Sequence, residues 1–259
     1  MTFFKNKRMK IGIIGTGAIG GTIAQKMVAA GHQVLVSNSG EFDKLEKRAK
    51  ELGALPSTVG DVVKGVDVVI LSVPTIAIPS LSKSLFDEIA KETIVVDTSN
   101  YYPFRDADIE EIKNGKVESV WVSEQIGRPV IKAFNNLLAQ TLVSGGKPQG
   151  TPGRIAIAVS GDDPRAKEII SGLIDEAGFD VVDAGNLESS WRQQPGTPAY
   201  CTELNVTELK QALKDGIREV APQIRDSVIK LFSERTTQPS HEEIVEFNRS
   251  LFPKNPKME

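Results

Sequence analysis

A single cysteine, Cys201, occurs in the 259 residues, so no disulfide can close within the chain and a reducing, intracellular setting is the simpler expectation. Histidine is nearly as scarce. His32 and His241 are the only two, neither in a ligand-spaced cluster, which argues against a zinc site. No stretch approaches the ~20 apolar residues of a membrane helix, and the basic start with Lys5, Lys7 and Arg8 precedes no long apolar segment. Neither a membrane partner nor a secretion signal is therefore expected, and a cytoplasmic location is. A formal net charge of -3 with both signs interspersed argues against a nucleic-acid surface. Also missing are a nucleophile elbow, a paired-carboxylate motif and a well-placed histidine. Only Tyr101, Tyr102, Lys132 and Cys201 offer themselves as proton donors. Such thin acid-base equipment favours a reaction dominated by positioning, such as hydride transfer between two stacked rings.

What the chain does have, at 40% hydrophobic and 25% charged residues, is enough apolar content for one large or two smaller domains. Its most informative segment is Lys10-Ile11-Gly12-Ile13-Ile14-Gly15-Thr16-Gly17-Ala18-Ile19-Gly20. An apolar strand runs into Gly-x-Gly-x-x-Gly and then into a helix pattern. Gly15 permits the tight turn, Gly17 removes a side chain where phosphate oxygens approach backbone, and Gly20 lets helix and strand pack closely. The first-turn N–H groups and the helix dipole then receive the pyrophosphate of a dinucleotide. The flanks agree: Ile23, Met27 and Ala30 give the helix an apolar stripe, Gly31 ends it, and Gln33 to Ser37 reads as the next strand.

Beyond this unit, a charged helix is expected over about 42–52, a strand over 67–73 ended by Pro74, a helix over 76–90, and strands over 93–97 and 130–135. A strand over 154–159, a helix over about 165–177 capped by Asp162 or Asp163, and a strand over 179–183 continue the alternation. Continuous β-branched runs suit strands buried on both faces, so the fold class is α/β, a Rossmann-like doubly wound parallel sheet. After about residue 185 the pattern becomes a Pro/Gly loop and helices over about 207–232 and 242–251, with a loose terminus from Pro253 to Glu259. The expected division is residues 1–185 as nucleotide domain and 186–259 as a helical cap or dimerisation extension of a homodimer. Trp191 and Arg192 either close over the site or pack the extension onto the main domain.

The dinucleotide is read from the end of the second strand. NAD selectivity usually places Asp or Glu there, on the ribose hydroxyls. This chain has Ser37-Asn38-Ser39-Gly40, neutral groups that can donate to a 2′-phosphate, with Lys44 one turn further on. NADP(H) is therefore the expected cofactor, with Ser37, Asn38 and Ser39 on the phosphate; the alternative is that these residues only form the turn. In open α/β sheets ligands lie beyond the carboxyl ends of strands. Ser72, Val73 and Pro74, then Asn100, then Ala133 and Asn135 are the candidates there, a stiff Val-Pro turn against the nicotinamide and two asparagines for polar edges.

With these residues on the page, the chain resembles the coenzyme F-420-dependent NADP oxidoreductase family. The resemblance rests on Ile13 to Gly20, Ser37-Asn38-Ser39, Ser72-Val73-Pro74, Lys132-Ala133-Phe134-Asn135 and Ala158 to Asp163, and spans about residues 9–185. It implies hydride transfer between NADPH and a deazaflavin, with the glycine turn on the phosphates and Val73-Pro74 near the nicotinamide. The arginine that often follows the serine of the phosphate-reading turn is absent here, and the tail is longer than in the compact members. A small-molecule redox acceptor is thus expected, with F-420, a flavin, a quinone and a small carbonyl or imine compound all open. Two rivals stand beside this reading: a β-hydroxyacid or imine dehydrogenase type of reductase, and a non-catalytic NADP(H)-binding redox sensor.

Overall fold

The computed structural model describes residues 8–81 and 83–252, so the expectations for the basic start of the chain and for Pro253 to Glu259 lie outside the described residues. Six parallel strands, β1 (Lys10–Ile14), β2 (Gln33–Ser37), β3 (Leu55–Pro56), β4 (Val68–Leu71), β5 (Ile94–Asp97) and β6 (Ile131–Lys132), lie in the order β3-β2-β1-β4-β5-β6. This is a Rossmann-like, doubly wound arrangement whose order reverses between β1 and β4. Alternate residues serve opposite faces: Ile11, Ile13, Val68 and Ile70 pack into one core, and Ile14, Val69 and Leu71 into the other.

Helix α1 (Ala18–Ala29) crosses from β1 to β2 and buries Ile23 and Met27 in the first core. Each such side chain contributes roughly 1.5–3 kcal/mol when fully buried. Helix α2 (Phe42–Leu52) adds Leu45, Ala49 and Leu52 to the same core. The opposite core receives Phe86 from α3 (Lys83–Asp87), Ile112 from α5 (Glu110–Lys113), and Trp121 and Val122 from α6 (Glu118–Ile126). Between β5 and α5 the chain makes the single turn α4 (Pro103–Asp106).

After β6, α7 (Ala139–Ser144) leads to β7 (Ala156–Val159), α8 (Pro164–Glu176) and β8 (Asp180–Asp183). Asp163 caps α8, accepting from the N–H groups of Arg165 and Ala166. Strands β7 and β8 pair in parallel as a sheet of their own, joined to β6 by one antiparallel bridge between Lys132 and Ser160. The strand and helix alternation thus reaches residue 185, but its last unit does not extend the six-stranded sheet. Helix α9 (Val206–Asp215) covers β7 and β8 with Leu209 and Leu213, and α10 (Ala221–Ser233) and α11 (His241–Ser250) complete the helical C-terminal region.

Several elements differ from expectation for local reasons. The helix expected over 76–90 is a 3-10 turn, Thr75–Ser80, followed by the short α3, because Pro79 lacks the N–H that an α-helix would use. The helix expected over 207–232 is split into α9 and α10 at Gly216, whose ψ of 137 is extended, and Pro222 takes a first-turn position of α10. The strand expected over 130–135 shortens to two residues because Phe134 adopts a left-handed φ of 61. None of the described helices is long and apolar enough to cross a membrane.

Candidate functional site

The glycine turn and the turn after β4 meet where the strand order reverses. Gly15 has φ 105, and a Cβ on it would lie 2.1 Å from the Ser72 carbonyl oxygen. Gly20 is equally constrained, because a Cβ there would lie 2.1 Å from the Gly15 carbonyl oxygen. Gly17 is different. Its φ of -69 and ψ of -165 suit any residue, and a Cβ on it would meet nothing within 4 Å. No packing among the described residues asks for glycine at that place; in a dinucleotide-binding turn of this pattern, glycine there leaves room for phosphate oxygens. Gly17 also stands at the cap of α1 without a side-chain capping bond, and the first turn holds no acidic residue. Thr16 and Ile19 are half-buried and Ala18 is exposed along this rim.

The turn after β2 is tied to the same rim. Asn38 donates through Nδ2 to Thr16 Oγ1 at 2.9 Å, and its Oδ1 accepts the Gly40 N–H at 2.9 Å. Ser37 is buried, with its Oγ enclosed and unpartnered, while Ser39 is exposed. Of the three residues assigned to a 2′-phosphate, Ser39 is thus the one whose side chain is open. Lys44 is paired with Glu41 at 2.9 Å, both exposed. Arg48 of α2, which sequence reading passed over, sets a guanidinium nitrogen 2.9 Å from where a Gly21 Cβ would be, against the first turn of α1.

At the ends of β4, β5 and β6, Ser72 and Val73 are half-buried and Pro74 is exposed, whereas Ala133 is fully enclosed. Asn100 donates to the Asn135 carbonyl at 3.0 Å, and Asn135 Nδ2 donates to Asn100 Oδ1 at 2.9 Å and to the Gln193 carbonyl at 2.8 Å. Gln193 returns a bond from Nε2 to Asn135 Oδ1 at 2.8 Å and accepts from Ser160 Oγ at 2.8 Å. Asn135 is therefore saturated by protein. Asn100, half-buried, is the member of the network nearest solvent, and it also donates to Tyr200 OH at 3.4 Å. Gln193 and Tyr200 were not singled out from sequence, although the Gln193-Gln194-Pro195-Gly196 loop marks their neighbourhood. The unpartnered Oγ atoms of Ser37 and Ser99 and Oγ1 of Thr75 lie at the carboxyl ends of β2, β5 and β4. Unpaired buried hydroxyls are uncommon and are a reason to look for a ligand.

Beneath this network lies a buried ion pair. Lys132 Nζ donates to Asp97 Oδ2 at 3.0 Å and to the Ser99 carbonyl; both charged side chains are fully enclosed. Asp97 also accepts from Ser119 Oγ at 2.7 Å and from the Ser99 N–H at 2.8 Å. Lys132 is thereby committed to structure. Glu118 is buried too, and burial pushes its carboxyl up to about 7, opposed by the charge of Lys132 and the Tyr101 N–H. The Tyr101 hydroxyl is used by the Ala107 carbonyl at 2.9 Å. Burial pushes the Cys201 thiol up to about 12, so it stays protonated and inert. Tyr102 and Tyr200 share a 2.6 Å hydroxyl bond, and burial raises both above the usual phenol range. Trp191 packs on Gly216 and under Arg192, whose Nη1 donates to the Leu213 carbonyl at 2.9 Å.

Comparison with known proteins agrees with this geometry. The family model described as NADP oxidoreductase, coenzyme F420-dependent, matches residues 10–101, from β1 through the turn after β5. The Sinorhizobium meliloti protein SMa0349 is 30% identical, with a TM-score of 0.66, over 78% of this chain and 97% of that one. The chain belongs to the coenzyme F420-dependent NADP oxidoreductase family. The Escherichia coli K12 protein YjhV is 34% identical over 124 residues, 48% of this chain and 83% of YjhV. An Arthrobacter sp. FB24 protein provisionally described as an F420-dependent NADP-reductase shares the fold at 23% identity and a TM-score of 0.56, over 70% of this chain and 87% of that one. The residues matched by the family model hold the glycine turn, the Ser37-Asn38-Ser39 turn and the Ser72-Val73-Pro74 turn of this oxidoreductase.

Proposed function

We propose that the protein transfers hydride between NADP(H) and a planar redox acceptor, a deazaflavin, a flavin or a quinone-like ring, in the crevice between the glycine turn and the ends of β4, β5 and β6. The observation that carries this reading is Gly17, a glycine with open space at its Cβ position and no conformational need of its own, at the start of α1. A nicotinamide nucleotide supplies the hydride. The chain's own residues hold it: backbone N–H groups of the Thr16-Gly17-Ala18 turn for the diphosphate, and Ser39, with Asn38 fixing the turn, for the 2′-phosphate. Arg48, paired with Glu51 at 2.9 Å, brings a guanidinium to Gly21 in the first turn of α1, and no carboxylate precedes Glu41 in the sequence. Val73 and Pro74 offer an apolar, conformationally stiff wall for the nicotinamide, and Asn100, whose Nδ2 is committed to the Asn135 carbonyl and the Tyr200 hydroxyl, offers at its edge only the second lone pair of Oδ1. The helices after residue 185 form a cap over the crevice or a contact between two copies.

Two measurements test this reading. Calorimetric titration is expected to show NADPH binding, and rapid-mixing oxidation of bound NADPH across deazaflavin, flavin, quinone, carbonyl and imine acceptors is expected to show turnover with a planar ring. Turnover with none of them favours a sensor, and turnover confined to carbonyls or imines favours the hydroxyacid or imine reductase type. Ser39→Asp is expected to raise the Michaelis constant for NADPH far more than for NADH, because it sets a carboxylate against the 2′-phosphate. Equal effects on both would remove Ser39 from the phosphate.

A further inference from the structure

A second cavity lies apart from the glycine turn, between α10, α11, the 195–201 segment and the Tyr102-Pro103-Phe104 turn. Its volume of about 550 Å³ falls within the ~300–1,000 Å³ range of small-molecule sites. Its walls are mainly apolar, with Ile229 and Phe232 from α10 and Ile244 from α11, and Phe104 stands 71% exposed beside it. The lining is held in place from several directions. Asn248 and Arg249 of α11 donate to the carbonyls of Cys201 and Thr202 at 3.2 Å and 2.6 Å, and Phe232 and Phe247 pack with ring centres 5.2 Å apart. Gly196, at φ 86, presses against the start of α10, where a Cβ would lie 2.0 Å from the Ala221 carbonyl oxygen.

One charged group lines this apolar space. Arg225 is 8% exposed, and its guanidinium lies 5.3 Å from the Tyr101 ring centre. Only Nε is used, donating to Asp226 Oδ1 at 2.7 Å, on a carboxylate that is itself largely in solvent. The two terminal nitrogens, with four N–H groups, donate to no described residue. A largely buried guanidinium, stacked on Tyr101 and near the Glu118 carboxyl but with its planar fork hydrogen-bonded to no described residue, is a good receptor for a carboxylate, which it matches in two parallel bonds.

We propose that this cavity binds an organic anion with an apolar body, a medium-chain or aromatic carboxylic acid, with the carboxylate on the terminal nitrogens of Arg225 and the body among Phe104, Phe232 and Ile244. The site does not depend on the nucleotide reading. Tyr102 and Tyr200, which line it and whose hydroxyls bond each other, stand between it and Asn100 at the end of β5, which donates to the Tyr200 hydroxyl.

The test uses the full chain without nucleotide. The fluorescent anion 8-anilinonaphthalene-1-sulfonate is titrated into the protein, then displaced by octanoate or by 1-octanol, which differ only in the charged end. Saturable uptake is expected, with octanoate displacing the probe at least about tenfold better than octanol, in line with a charge-assisted pair. Arg225→Met, which keeps the apolar stem, is expected to remove that preference and leave octanol unchanged. Because a buried arginine can also matter to folding, Phe104→Asp at the exposed rim serves as the second variant. It is expected to weaken octanoate about tenfold with the melting temperature unchanged. Absence of saturable uptake at any protein concentration, as when a second copy covers the cavity, overturns the proposal; so does equal displacement by octanoate and octanol. NADPH titrations are expected to be the same in wild type and Arg225→Met, so failure of this site and failure of the nucleotide site read out separately.

Discussion

Replacing Gly17 by Ala separates a glycine kept for the fold from one kept for a ligand, and Gly20→Ala is its natural control. At Gly17 the backbone already has an ordinary φ and the added methyl meets nothing within 4 Å. Removing glycine stiffens the unfolded chain, worth about 0.4–1 kcal/mol in favour of folding, while alanine is a poorer helix cap by roughly the same amount. The two effects cancel to within about 1 kcal/mol, a shift in melting temperature of no more than about 2–4 °C for a chain of this size. At Gly20 the methyl would sit 2.1 Å from the Gly15 carbonyl oxygen and 2.9 Å from Ser72 Cβ, so strand and helix must part. Overpacking of that kind costs about 1–3 kcal/mol or more, and the melting temperature is expected to fall by about 5–10 °C. NADPH affinity should behave in the opposite sense at Gly17, weakening about tenfold or more as the methyl enters the approach to the diphosphate. Scanning calorimetry and NADPH titration of both variants decide the matter. If Gly17→Ala melts as early as Gly20→Ala, or binds NADPH as the wild type does, the reasoning from open space is wrong.

Other consequences follow from the buried charges. Lys132→Met leaves the Asp97 carboxylate enclosed without its cation and is expected to lower stability by about 3–5 kcal/mol in urea unfolding, with Asp97→Asn restoring part of the loss in the double variant. Glu118 gives the protein a pH dependence opposite to that of a salt-bridged acid. Its folded-state value of about 7 lies above the ordinary 4.5, so its contribution is fully present below pH 4.5 and is lost as pH rises through 7, a swing of about 3 kcal/mol at most. Unfolding measured at about pH 5 and about pH 7.5 should show this decline, and Glu118→Gln, which mimics the protonated acid among Lys132, Arg225 and Asp97, should flatten it. A slope unchanged in that variant would assign the dependence to other groups.

The first crossover was legible from residues alone because every local signal agreed: β-branched strand, three glycines with different duties, an apolar helical stripe and a closing Gly31. Strand β3 was not, since its two residues, Leu55 and Pro56, carry no periodicity. The separate pairing of β7 and β8 was hidden for a different reason. Their sequences suit any buried parallel strand, and what turns them away from the main sheet is the left-handed Phe134 and the Lys132 and Ser160 bridge. At the candidate site, strand ends could be named from the sequence, but not which side chains are already spoken for. Asn100, Asn135 and Ser37 look as available as Ser39 until the hydrogen bonds of the two asparagines and the enclosure of Ser37 are seen. Gln193, Arg48 and Arg225 lie far along the chain from the elements they meet, and nothing in composition distinguishes an arginine sealed under helices from one in solvent.

The six-stranded sheet ends on both sides in a strand of only two residues, one of them containing Pro56, and β6 is further met by a crossing strand at Ser160. Neither margin presents a run of free amide and carbonyl groups on which another chain could extend the ladder. Self-association by adding sheet to sheet is thereby discouraged at the backbone level, as is fibrillar growth from the native state. Any lasting contact between copies has to be made by side chains on the outer helices, where single substitutions can tune or abolish it without touching the strands within.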